Sequence, residues 1–163
     1  MNASAPVGNR DRLAGLVVVG IGNELRRDDG IGVCIARALA GSLGALGARV
    51  VSLHQLVPEL AVDLADARAV IFVDAAVDLG PGAVRVVAPA PGVGFGQATH
   101  RAEPEVLLEL CAALYRKRPA AMVVSIGAAD LGAGCGLSAA ARRGCDRAGE
   151  VIRALAEVMV LDA

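Results

Sequence analysis

The chain has 163 residues, 16 Lys+Arg against 17 Asp+Glu and a formal net charge of −1, a length that suits one domain with a sizeable core. Hydrophobic residues make up 55% and charged residues 20%, which excludes a disordered chain, and no apolar run approaches the ~18 residues of a spanning helix. The near-zero charge and an aromatic content of 2% leave no footing for nucleic acid, an anionic membrane surface or a base-stacking platform. Arg10 and Arg12 before the apolar stretch Leu13 to Gly22 mimic a secretory leader, but no small-x-small cleavage site follows. The stretch reads instead as a first buried strand, Leu16 to Ile21, after a flexible tail of residues 1–15. A cytoplasmic protein is expected, with residues 16–163 forming one domain.

From Gly30 the period changes to that of a helix, with Ile31, Ile35, Ala38, Leu39, Leu43 and Leu46 inward and Gly44 and Gly47 ending it. Arg49 to Leu53 is a second strand, and Pro58 to Asp66 a short helix with Leu60 and Leu64 inward. Ala69 to Asp74 is a buried strand ending on a carboxylate. Pro81-Gly82 is a turn, Ala83 to Ala88 a short edge strand, and Pro89 to Thr99 a loop without periodicity. Pro104 opens a helix whose inner stripe is Leu107, Leu110, Cys111 and Leu114. Ala121 to Ile126 is the last strand. Ser138 then caps a long helix with Ala148, Ile152, Leu155 and Met159 inward. Five strands and four helices in this order define an α/β domain, a three-layer αβα sandwich around a five-stranded, mainly parallel sheet.

Cys34, Cys111, Cys135 and Cys145 form no C-x-x-C pair and sit among aliphatic residues, as structural thiols do. The polar residues of interest collect instead where strands end, the ligand rim of open α/β sheets. Gly20-Ile-Gly-Asn-Glu-Leu-Arg-Arg-Asp-Asp-Gly-Ile-Gly32 follows the first strand, Asp74 ends the third, and His100, one of two histidines, precedes the third helix.

A dinucleotide reading of Gly20-x-Gly22 fails on chemistry. Leu25 stands where the third glycine belongs, His54 and Gln55 replace the ribose-binding acid, and Asp28 and Asp29 would repel a pyrophosphate. The carboxylates suit a cation better: two hard oxygens and one imidazole fit a divalent ion such as nickel or zinc. The competing reading of Asp28 and Asp29 is helix capping, and that of His100 an exposed loop histidine. Asp74 is harder to explain away, because a carboxylate ending Val-Ile-Phe-Val needs a polar purpose.

Gly20-Ile-Gly-Asn23 with Asp28-Asp29-Gly30-Ile-Gly32 resembles the opening motif of hydrogenase maturation proteases, G-(I/V)-G-N-x-L-x-x-D-(D/E)-G-x-G. The likeness continues through Val73-Asp74-Ala75, His100 and Gly134-Cys-Gly-Leu-Ser138, over about residues 16–159. It implies a phosphorylase/hydrolase-like αβα fold and an aspartic-type endopeptidase that trims the C-terminal extension of a NiFe hydrogenase large-subunit precursor after nickel insertion. Asp29, Asp74 and His100 would be the metal positions, with Asp28, Asp29 and Asp74 as the catalytic carboxylates. The nickel would come with the substrate, and no organic cofactor is expected.

One segment departs from the common pattern. His54-Gln-Leu-Val-Pro-Glu59 replaces a D-G-G-T-x-G stretch and is similar to members serving cytoplasmic hydrogenases of the NAD-reducing type. His54, Gln55 and Glu59 are therefore candidate substrate contacts, or ordinary helix-start residues around Pro58. The pepsin-type D-T-G and D-S-G signatures are absent, so the aspartic label says little about mechanism. A monomer without nucleic-acid or membrane partners is expected. The alternative function is a non-catalytic, nickel-sensing assembly chaperone for a hydrogenase subunit.

Overall fold

The computed structural model describes residues 9–90 and 103–162. Uninterrupted aliphatic and β-branched runs form the strands, as expected of a sheet covered on both faces. These are β1 (Leu16–Ile21), β2 (Arg49–Leu53), β3 (Ala69–Ala76), β4 (Val84–Val87) and β5 (Ala120–Gly127). They lie in the order β2-β1-β3-β5-β4, every neighbouring pair parallel except β4 with β5.

Alternate residues of the strands feed two cores. Val18, Ile71 and Val124 pack under α1 (Ile31–Gly44) and α4 (Ala139–Leu161), where Ile35, Leu39 and Ile152 meet them. Val17, Val19 and Phe72 point the other way, under Leu64 of α2 (Leu60–Ala65) and Leu107 and Cys111 of α3 (Pro104–Tyr115). Each such side chain contributes ~1.5–3 kcal/mol through its removal from water. The result is the expected three-layer sandwich. The chain leaves β1 for β2 on one side and returns to β3 on the other, so a crevice opens beyond the carboxyl ends of β1 and β3.

Several expectations need correction. Residues 9–15 are part of the fold: Asn9–Asp11 forms a 3-10 turn, and buried Leu13 donates its N–H to the Leu46 carbonyl at 2.7 Å. β3 does not end at Asp74, because Ala75 and Ala76 go on pairing with Ile126 and Gly127. β4 is two residues shorter than expected, and it is an edge strand. Ala38 faces outward and Ala36 inward, since the spacing of Gly32, Ala36, Leu39 and Leu43 defines the stripe that meets the sheet. Leu114 is 65% exposed. Most of the expected Pro89–Thr99 loop lies outside the described residues. No helix among the described residues is long and apolar enough to cross a membrane.

Candidate active site

Beyond the ends of β1 and β3 lies a cleft of about 550 Å3 on the α2/α3 side of the sheet. Asp29 lines it from the turn before α1, and Asp74 lines it from β3. Asn23, His54, Gln55 and Ser125 stand around them. Sheet register explains one wall. Asp74 pairs with Ser125 of β5, and Ser125 with Arg85 of β4, so the three side chains form a row on one face. Arg85 is held by two hydrogen bonds to Asp78, at 2.7 and 3.2 Å.

The glycines of the first motif bring Asp29 to this rim. At Gly32 a Cβ would run into the carbonyl oxygens of Val73 and Ile21, so only glycine lets α1 start in backbone contact with the ends of β1 and β3. Gly22 has φ +146°, and a side chain there would strike the Asp29 carbonyl. That carbonyl accepts the Asn23 N–H at 3.2 Å, and Asp29 donates its own N–H to the Arg26 carbonyl at 3.1 Å. Close packing, rather than phosphate approach, is what these glycines serve. Among the described residues the Asp29 carboxylate has no hydrogen-bond or ion-pair partner.

Asp28, one residue earlier, has a different environment. It is 0% exposed and absent from the cleft wall. Its Oδ2 accepts from the N–H groups of Ala129 (2.9 Å) and Asp130 (3.0 Å) and from the Ser138 hydroxyl (2.8 Å). Its Oδ1 accepts from the Ser138 N–H at 2.7 Å. Burial pushes this carboxyl up, but the bonds from Ser138, Ala129 and Asp130 outweigh it and hold the group below its ordinary value. Ser138 in turn caps α4 by accepting the Ala141 N–H at 3.1 Å. Asp28 thus ties the Asp29 turn to the loop before α4, with no open face for a water. It does not cap α1, whose N-cap is Gly30, a residue with no side chain to cap with. Arg27, at φ +48°, adds an ion pair with Asp130 to the same joint.

Asp74 is half-buried, and its Oδ1 accepts the Ala75 N–H at 2.7 Å. His54 and Gln55 reach the cleft, whereas exposed Glu59 does not line it and stands at the start of α2 without a capping bond. His100 lies outside the described residues; Glu103, three positions later, lines the cleft. Among the described residues no three His, Cys, Asp or Glu side chains cluster closely enough to hold a metal ion. A metal ion held by Asp29 and Asp74 would need another donor.

Ser125 and Arg85 line the cleft without a sequence motif to mark them, and Asn23 stood in the opening motif with no role attached. Ser125 carried the same signal as Asp74, a polar residue inside an apolar run, but its register beside Asp74 becomes visible only in the sheet. No disulfide forms between the four cysteines. Cys135 is exposed, contrary to the expectation of packing among aliphatic residues. Burial raises the thiol pKa of Cys34 and Cys111. It raises that of Cys145 to about 11, aided by Cys34, Asp146 and Asp28, so these three are poor nucleophiles.

Fold and cleft together define an α/β domain with two carboxylates at its switch-point crevice. Solved structures sharpen that description. The chain is similar to the NiFe hydrogenase maturation protease HycI from Thermococcus kodakarensis KOD1, at 21% identity over 88% of this chain and 91% of that one, with a TM-score of 0.71. It is similar to the maturation protease HybD from Thermococcus kodakarensis, at 24% identity over 86% and 98%, TM-score 0.63. The hydrogenase maturating endopeptidase HybD from E. coli gives 24% identity over 88% and 93%, TM-score 0.63. No protein-family model matches the chain, and no curated protein does. The chain has the fold of the hydrogenase maturation proteases.

Proposed function

We propose that this protein is a peptidase of hydrogenase maturation. It removes the C-terminal extension from the large-subunit precursor of a NiFe hydrogenase once nickel is in place. The observation that carries the reading is the meeting of Asp29 and Asp74 on one cleft in a chain of this fold. Two carboxylate oxygens and the His100 imidazole form a mixed donor set that suits a borderline divalent ion, and they leave positions for the substrate's own ligands. The nickel belongs to the precursor, and these three residues hold it so that one peptide bond lies along the cleft.

In the cleavage step a water oxygen adds to the scissile carbonyl carbon while a cleft carboxylate takes the proton. The C–N bond then breaks, the proton passes to the departing amine, and the new C-terminus leaves as a carboxylate. Asp28 acts as the residue that fixes the Asp29 turn. His54 and Gln55 contact the precursor from the cleft rim, and Glu59 from the surface beside it. The substrate subunit is of the cytoplasmic NAD-reducing type, and the protein acts there as a monomer.

A nickel-sensing chaperone would use the same carboxylates without cutting. Incubation of the purified protein with nickel-loaded precursor, read by mass spectrometry, separates the two. Loss of the C-terminal tail is the expected result, and stable binding with an intact tail would assign the chaperone role instead.

A further inference from the structure

We infer that Asn23 is a further catalytic residue, whose side-chain amide donates a hydrogen bond to the scissile carbonyl oxygen as negative charge develops there. The inference rests on the peptidase reading above and adds to it the group that stabilises the oxyanion.

Asn23 lines the cleft with Asp29 and Asp74 and is half-buried. Its backbone is fixed at both ends: the N–H donates to the Asp29 carbonyl at 3.2 Å, and the carbonyl accepts the Arg26 N–H at 3.0 Å. Its side chain is oriented as well. Oδ1 accepts the Leu25 N–H at 3.0 Å, which assigns the oxygen to that side and leaves the Nδ2 hydrogens for another partner. Among the described residues Nδ2 has none. A rigid amide with its donor uncommitted, locked to the backbone of Asp29, is what oxyanion stabilisation requires, because such a donor needs no reorganisation as charge forms.

The cleft's other donors are less suitable. Arg85 is engaged by Asp78, and Arg26 reaches the Leu131 carbonyl at 3.4 Å. The Ser125 hydroxyl stands beside Asp74, its register partner on β3. When water adds to the carbonyl carbon, the carbonyl oxygen takes the electron pair and Asn23 holds it. Collapse then returns the pair to the C=O bond and expels the amine.

The test uses nickel-loaded precursor with Asn23→Asp and Asn23→Ala. Asn23→Asp keeps an oxygen for the Leu25 N–H, removes the donor and adds a negative charge, and its melting temperature should match the wild type. Asn23→Ala removes the donor without adding charge. Both variants should lose about 100-fold or more in kcat, with KM and precursor affinity within a few-fold of wild type. A kcat within threefold of wild type in either variant overturns the role, a loss confined to Asn23→Asp being a charge effect. Parallel loss of affinity and cleavage overturns it too, since that is ground-state binding. A wild-type protein that leaves the loaded precursor uncut overturns the peptidase reading and this role together. Wild-type cleavage matched by both variants overturns this role alone.

Discussion

Asp74→Asn is expected to abolish tail removal while leaving the fold intact. Asp74 sits inside the β3–β5 ladder, which is built from backbone bonds that the substitution does not touch. Its bond from the Ala75 N–H can pass to the amide oxygen. What disappears is the Asp74 carboxylate charge at the cleft, and with it, on the proposed reading, a hard anionic ligand for the precursor's metal. Loss of a preorganised electrostatic contact of this kind costs about 100-fold or more in rate. Single-turnover cleavage of loaded precursor, alongside a thermal melt, is the measurement. Wild-type cleavage by Asp74→Asn would place the chemistry elsewhere in the molecule.

Asp28→Asn should fail in a different way, through stability. Its carboxylate accepts four hydrogen bonds in a fully buried site. An amide keeps one accepting oxygen and turns an NH2 group toward one of the donors. Leaving a buried N–H of Ser138, or those of Ala129 and Asp130, opposed by another donor costs roughly 3 kcal/mol. In a chain of this size that lowers Tm by about 6–12 °C. The pH dependence follows in sign. The folded carboxyl titrates below its unfolded value of 3.8, so its contribution is fully present above that value and is lost as pH falls through the folded one. The stability gap between wild type and Asp28→Asn should therefore be widest near neutrality and narrow below about pH 4. A gap that stays constant down to pH 2 would show that the Asp28 charge does not carry the joint.

Much of the fold was legible because strand burial and helix stripes are local signals. β1, β2 and the start of α3 lie where the Leu16–Ile21 and Arg49–Leu53 runs and Pro104 place them. The misses come from tertiary context. β3 runs past Asp74 because β5 continues beside it, and no local pattern reports that pairing. Leu114 fits the helical stripe and is nevertheless exposed. In the site, Asp29 was readable from the motif after the first strand and Asp74 from a carboxylate in an apolar run, and the cleft contains both. Adjacent aspartates in one motif nevertheless look alike in sequence, and only the fold separates buried Asp28 from cleft-lining Asp29. Asn23, Ser125 and Arg85 depend on cross-strand register and on hydrogen-bond direction, which a linear pattern does not carry.

The central claim is that nickel in the substrate, rather than a metal kept by the enzyme, licenses cleavage. On the proposed reading, two carboxylates and one imidazole would hold a free ion weakly, and a precursor that brings its own ligands would complete the set. About 2.7 kcal/mol of differential binding suffices for ~100-fold discrimination. The direct measurement compares apo and nickel-loaded precursor, with the protease pretreated with chelator in both arms and tail loss followed over time. The loaded precursor should be cut at least ~100-fold faster; equal cleavage of the two would contradict recognition through nickel.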